Sequence, residues 1–139
     1  MIILDTNVVF EPTRPEPSPE VRRWLARQDR KQLHTTSITE AEILLGLELM
    51  PKGRRGHDLE RATLRMFQVI LSDRVLPFDR TAAHAYALVF AERQRLGRPI
   101  KQPDAQIAAI ARSRGAAVAT RNIADFEHCG VKVINPWTD

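Results

Sequence analysis

Apolar residues along the chain fall into short unbroken runs separated by longer amphipathic stretches. Residues 1–4 (Met1-Ile2-Ile3-Leu4) form one such run, and 32–35, 75–78, 116–120 and 131–134 are four more candidate strands. Between them the spacing turns helical. Ser18-Pro19-Glu20 reads as N-cap, N1 and N2 of a helix that carries Val21, Trp24, Leu25 and Gln28 on one face. Further helices are predicted over 39–50, 58–71, 81–96 and 103–115, the last opened by Pro103 and the last two stopped by Gly97 and Gly115. The four prolines between Glu11 and Pro19 mark a loop. Strands that alternate with helices, and that read as short apolar runs rather than alternating ones, belong in a parallel sheet covered on both faces. The expected fold is a three-layer α/β/α arrangement around a central, mainly parallel sheet of about five strands, with residues 1–139 as a single domain.

Composition narrows the class. With 43% hydrophobic and 27% charged residues, a chain of 139 residues reads as an ordinary globule with a sizeable core. Cys129 is the only cysteine, which excludes a disulfide scaffold. No run reaches the ~18–20 apolar residues of a membrane span, and Asp5 interrupts the first apolar run before it could serve as a signal peptide. A cytoplasmic protein is expected. The net charge is +4, and 17 of the 21 basic residues are arginine, whose planar fork suits phosphate. That balance leans mildly toward a polyanionic partner.

In an open α/β sheet, sites lie beyond the carboxyl ends of the strands. Asp5 ends the first strand. Glu42 lies early in the helix after the second, and Asp104 lies in the first turn of the helix opened by Pro103. Asn122 and Asp125 follow the strand that ends at Thr120. Each has an ordinary structural reading as well. Asp5 suits an N-cap, Asp104 favours its helix dipole, and Asp125 suits a turn. Ser37-Ile38-Thr39-Glu40 and Thr39-Glu40-Ala41-Glu42 are overlapping capping boxes, with Glu40 the better capping residue. Glu42 shares a stripe with Ile38, Leu45 and Leu49 in a helix apolar nearly all round, which is expected to be buried. A buried carboxylate costs several kcal/mol, roughly, unless it is paired or binds a metal. Asp104 shares a face with Ile107, Ala108 and Ala111, which directs it inward.

Inward carboxylates gathered at one edge repel unless a cation joins them. The four histidines are scattered, so a Cys/His zinc set is absent. An oxygen-only acidic pocket suits Mg²⁺ or Mn²⁺. For the polyanionic partner toward which the charge balance leans, such a pocket would be repulsive, so basic residues would have to flank it. Arg93, Arg95, Arg98 and Lys101 lead into Asp104, Arg121 adjoins Thr120, and Lys52, Arg54 and Arg55 form a third group. Arg98, Lys101 and Arg121 are the best placed to meet phosphate, whereas Arg54 and Arg55 suit a solvated face.

These segments carry a resemblance. Ile3-Leu4-Asp5-Thr6-Asn7-Val8 resembles the opening motif of the PIN domain family, and Thr36-Ser37-Ile38-Thr39-Glu40-Ala41-Glu42-Ile43 its second. Pro103-Asp104-Ala105-Gln106-Ile107-Ala108 resembles the third motif, and Val118-Ala119-Thr120-Arg121-Asn122 with Asp125-Phe126 the fourth. Order and spacing match over essentially the whole chain. The likeness is greatest to the VapC toxins of the FitB-like branch, which share a terminal Asn135-Pro136-Trp137. The resemblance implies a metal-dependent ribonuclease, the toxin half of a toxin–antitoxin pair. It also implies a homodimer restrained by a small VapB- or FitA-like antitoxin.

By that resemblance Asp5, Glu42, Asp104 and Asn122 are the catalytic set. Asp5, Asp104 and Glu42 are ligands of Mg²⁺, with Asp125 a further candidate, and Thr6, Asn7 and Thr120 support them. The implied chemistry is hydrolysis of an RNA phosphodiester by a water activated at the ion, with Glu42 orienting that water or taking its proton. Asn122 departs from the family pattern, which often has aspartate there, so one or two ions remain open alternatives. Two other classes are weighed. One is a catalytically weak binding module that acts through its partner, a reading Asn122 favours. The other is a receiver-like phosphoacceptor domain, which lacks support because Asp5 is followed by Thr6-Asn7 rather than by a second acid.

Overall fold

The computed structural model describes residues 1–139. Five short parallel strands form one sheet: β1 (Ile2–Leu4), β2 (Leu33–Thr36), β3 (Val75–Leu76), β4 (Ala117–Ala119) and β5 (Val133–Ile134). Their order is β3-β2-β1-β4-β5. The chain therefore builds outward from β1 in one direction and then in the other, and the order reverses between β1 and β4. Register is set by Ile2 opposite Leu33 on one side and opposite Ala117 on the other.

Seven helices cover the sheet: α1 (Thr6–Phe10), α2 (Pro19–Arg27), α3 (Ser37–Leu49), α4 (Arg54–Arg65), α5 (Arg80–Arg95), α6 (Gln102–Ser113) and α7 (Ile123–Phe126). Alternation along the strands divides the core between two faces. Ile3 and Val118 pack with Ala82 and Val89 of α5 and with Ala105, Ile107, Ala108 and Ala111 of α6. The next residues, Leu4 and Ala119, point the other way, onto Val8, Val9, Trp24, Ile43 and Phe67. The result is the expected three-layer α/β/α fold. No helix is long and apolar enough to cross a membrane.

Several local expectations are revised. Helix α3 begins at Ser37, directly after β2, and its N-cap is Thr36, whose hydroxyl accepts the Thr39 N–H at 3.1 Å. Neither predicted capping box forms, and Glu40 does not cap, because the strand-end threonine already occupies that role. The predicted helix over 58–71 starts earlier, at Arg54, and its last turn, Met66–Ile70, widens into a π-helix. The proline segment contains a single 3₁₀ turn at Glu11–Thr13, where buried Glu11 accepts the Ser18 N–H at 3.0 Å.

The largest revision concerns α3. Its leucines are not enclosed: Leu45 is 59% and Leu49 76% exposed, and Glu42 lies on the open side too. Only Thr39 and Ile43 of this helix are buried, because α3 touches the rest of the fold along one narrow stripe.

Candidate active site

The sheet order reverses between β1 and β4, so the chain leaves these adjacent strands in opposite directions and opens a crevice at their carboxyl ends. Asp5 and Thr120 are the first residues beyond those two strand ends. The Thr120 hydroxyl donates to Asp5 Oδ2 at 2.8 Å, which closes the crevice floor. Asn7 adds two contacts: its Nδ2 donates to Asp5 Oδ2 at 3.2 Å and to Thr120 Oγ1 at 3.4 Å. Asp5 also caps α1, accepting the Thr6 N–H through Oδ1 at 2.8 Å. The capping role and the site role thus coexist, one on each carboxylate oxygen.

Two further segments reach the same edge, and the residues after Thr120 continue along it. The Thr6 hydroxyl donates to Glu42 Oε1 at 3.4 Å, which ties α1 to α3. Asp104 lies in the first turn of α6, whose N-cap, Lys101, offers no side-chain cap. Asn122 begins α7, and its backbone N–H donates to Thr120 Oγ1 at 3.0 Å. Together Asp5, Thr6, Asn7, Phe10, Glu42, Asp104 and Asn122 line an open cleft of about 310 Å³. A larger cavity of about 390 Å³ lies between α2 and the π turn; its walls include Arg30 and Arg74 but no carboxylate, so it cannot supply the acid chemistry.

The electrostatics of the cleft follow from crowding of like charge. Burial raises the pKa of Asp5, opposed by the hydrogen bonds from Thr120, Thr6 and Asn7. Glu42, although on the open side of α3, is raised by partial desolvation of its carboxyl at the cleft and then by the charge of Asp5. Asp104 is pushed up to about 6, first by burial and then by the charges of Asp5, Asp125 and Glu42. Asp125 is exposed and does not line the cleft, yet its charge is felt by Asp5 and Asp104. Asn122 therefore occupies the lining position, while Asp125 adds to the field from outside.

A divalent cation suits this donor set. Every available donor is oxygen, the carboxylates hold one another in unfavourable proximity, and a cation among them would relieve that repulsion. No group of three acidic, histidine or cysteine side chains is by itself arranged to hold an ion. Mg²⁺ matches such an edge, because it keeps several waters and takes only one or two carboxylates.

The basic residues divide. Arg98 is exposed and pairs with Glu127 at 3.3 Å, Lys101 is exposed at the mouth of α6, and Arg121 donates its backbone N–H to Asn7 Oδ1 at 3.1 Å. Arg93 belongs to the core, not to the basic surface. It is 5% exposed, and its guanidinium donates to the carbonyls of Arg98 (2.7 Å), Asp125 (2.9 Å) and Glu127 (3.0 Å). It thereby ties the loop before α6 to the turn after α7. Its position on the stripe Ala82, Ala85, Val89 was the signal for burial. Phe10, one turn beyond Thr6 on the same face of α1, is a lining residue that motif reasoning did not reach.

Four chain segments of a three-layer fold thus bring Asp5, Glu42, Asp104 and Asn122 to one sheet edge. The chain belongs to the PIN domain family, which it matches over residues 2–131. Among particular proteins, it is 42% identical over 137 residues to the plasmid stability protein StbB of Pseudomonas syringae pv. tomato, covering 99% of both chains. It is 39% identical over 137 residues to the VapC ribonuclease Y4jK of Sinorhizobium fredii, covering 99% of this chain and 98% of the other. The crystal structure of FitAcB from Neisseria gonorrhoeae superposes with a TM-score of 0.93 at 35% identity, covering 100% of both chains.

Proposed function

We propose that this chain is a Mg²⁺-dependent endoribonuclease and the toxin of a VapBC-type toxin–antitoxin pair. The observation that carries the reading is the Asp5–Thr120 bond at the β1/β4 switch point, with Glu42, Asp104 and Asn122 around the same cleft. Likeness to a VapC ribonuclease over nearly the full length supports it.

A bound divalent ion would offset charge on the scissile phosphate and acidify a water, with Mn²⁺ as a possible substitute for Mg²⁺. The rest falls to the chain's own residues. Asp5 and Asp104 offer the ligand oxygens, with Glu42 at the rim. Thr120, Asn7 and Thr6 fix the Asp5 carboxylate, so its orientation need not be found anew at each turnover. Glu42, whose pKa is raised, orients the attacking water or takes its proton. Asn122 contributes a neutral amide oxygen, which limits the negative charge facing the substrate. Arg98, Lys101 and Arg121 hold backbone phosphates around the acidic cleft.

A small VapB- or FitA-like antitoxin and a second copy of the chain are the proposed protein partners. The uncovered leucines of α3 offer apolar surface for such contacts. The second reading, a catalytically weak binding module, draws on Asn122, a neutral amide in the cleft lining where the resemblance implies an acid. Incubation of total cellular RNA with Mg²⁺ or with chelator, followed by mapping of the cut ends, separates the two. Discrete Mg²⁺-dependent ends support the enzyme, and intact RNA under both conditions supports the module.

A further inference from the structure

The terminal Asn135-Pro136-Trp137 takes no part in the acidic cleft, yet local bonds fix it firmly. Asn135 Oδ1 accepts the Trp137 N–H at 3.0 Å, and the Asn135 N–H donates to Asp139 Oδ2 at 2.8 Å. The Asn135 carbonyl accepts from the N–H groups of Thr138 and Asp139. Pro136 is buried, and half-buried Trp137 packs against the cluster that contains Leu4 and Ala119. The indole is thereby held just beyond β5, at the carboxyl edge of the sheet.

Arg121 follows Thr120 at the end of β4, and its backbone is locked to the cleft through Asn7. Its side chain does not line the cleft. The guanidinium carbon lies instead 5.1 Å from the centroid of the Trp137 ring. Arg121 is exposed and forms no ion pair, whereas Arg98 is already held by Glu127. A guanidinium over an indole keeps its in-plane N–H donors available, and the ring limits the rotamers it would otherwise explore. The arrangement presents a free, oriented cation beside the acidic edge, displaced toward β5.

We infer that Trp137 is a positioning residue for Arg121, and that the pair contacts an RNA phosphate lying outside the acidic cleft on the β5 side. The inference rests on the ribonuclease reading and adds the direction in which the strand leaves the cleft. It also gives the terminal motif a function.

The test is anisotropy of a labelled single-stranded oligoribonucleotide over a salt series, in chelator so that the strand stays intact. Arg121→Gln lowers the slope of log affinity against log salt by about 0.7, the share of one single-strand phosphate. Trp137→Leu weakens binding about two- to five-fold, the range of an exposed cation–π contact, while Trp137→Phe keeps most of the affinity. In the Arg121→Gln background, Trp137→Leu has no further effect on affinity. Oligonucleotide also changes the emission of Trp137, and this change is lost in Trp137→Phe; Trp24, 4% exposed, stays silent.

A merely structural Trp137 would lower the melting temperature and leave the RNA affinity of the folded Trp137→Leu protein intact, which overturns the inference. So do an unaltered slope in Arg121→Gln and additive losses in the double variant. If the unaltered protein binds no oligoribonucleotide in chelator and cuts none in Mg²⁺, the ribonuclease reading falls with the inference; if it binds none in chelator yet cuts in Mg²⁺, the inference alone falls. If it binds with a slope indifferent to Arg121, the inference alone falls.

Discussion

Asp104→Asn removes one charge from a crowded acidic edge, and the consequence for stability has a defined sign and size. The carboxyl is raised from its ordinary 3.8 to about 6, by burial first and by Asp5, Asp125 and Glu42 next. In a sealed site that rise would correspond to roughly 3 kcal/mol, at ~1.4 kcal/mol per tenfold change in proton affinity. Asp104 is half-exposed, and solvent screening brings the figure to ~1–2 kcal/mol. A folded-state pKa above the unfolded one means that the native protein binds the extra proton. This contribution to stability is fully present below about pH 4 and is lost as pH rises through about 6. Without divalent ions, Asp104→Asn is therefore close to neutral near pH 4 and stabilising by ~1–2 kcal/mol near pH 8, or roughly 3–8 °C in Tm. Urea or thermal unfolding in chelator across that pH range measures it. Added Mg²⁺ raises the Tm of the unaltered protein and moves that of Asp104→Asn much less. A variant less stable than its parent at pH 8, or a difference that does not change with pH, would contradict a raised Asp104 carboxyl.

Other consequences are separate. Thr120→Val removes the 2.8 Å donor to Asp5 and the acceptor for Asn122, so metal affinity or cleavage falls about 10–100-fold while unfolding shifts by only ~1 kcal/mol; an equal loss of both would contradict the supporting role. Arg93→Met leaves three carbonyls without their donor and costs ~2–4 kcal/mol in urea unfolding, and a loss below ~1 kcal/mol would show that water replaces it. His128 has φ 60, a left-handed conformation that glycine adopts freely, so His128→Gly raises the urea midpoint by the equivalent of ~0.5–1 kcal/mol; a lower midpoint would contradict that strain.

Four of the strands were legible as short, mostly apolar runs; β2, Leu33-His34-Thr35-Thr36, has a single apolar residue and was legible from its place between two helical stretches. Asp5, Asp104 and Asn122 were legible because polar residues at strand ends and helix starts converge in an open parallel sheet. Burial of a helix was not legible in the same way. The pattern of α3 says that it is apolar nearly all round, but which faces its own chain covers depends on neighbours far away in sequence. Glu42 reaches the cleft through Thr6, not through the burial its stripe suggested. Arg93 misled for the opposite reason: charge drew it into the basic surface, although the stripe Ala82, Ala85, Val89 already pointed it inward. The contact between Arg121 and Trp137 joins two strand ends and has no local signature at all.

In the proposed function, carboxylates at the β1/β4 switch point cleave RNA with a divalent ion. Single-turnover cleavage of RNA by the unaltered protein and by Asp5→Asn and Asp104→Asn, each shown to be folded, tests it directly. The expected outcome is cleavage by the unaltered protein in Mg²⁺, none in chelator, and at least about a hundredfold loss in each variant. Cleavage that persists in chelator, or that either folded variant carries out at the parent rate in Mg²⁺, would contradict it.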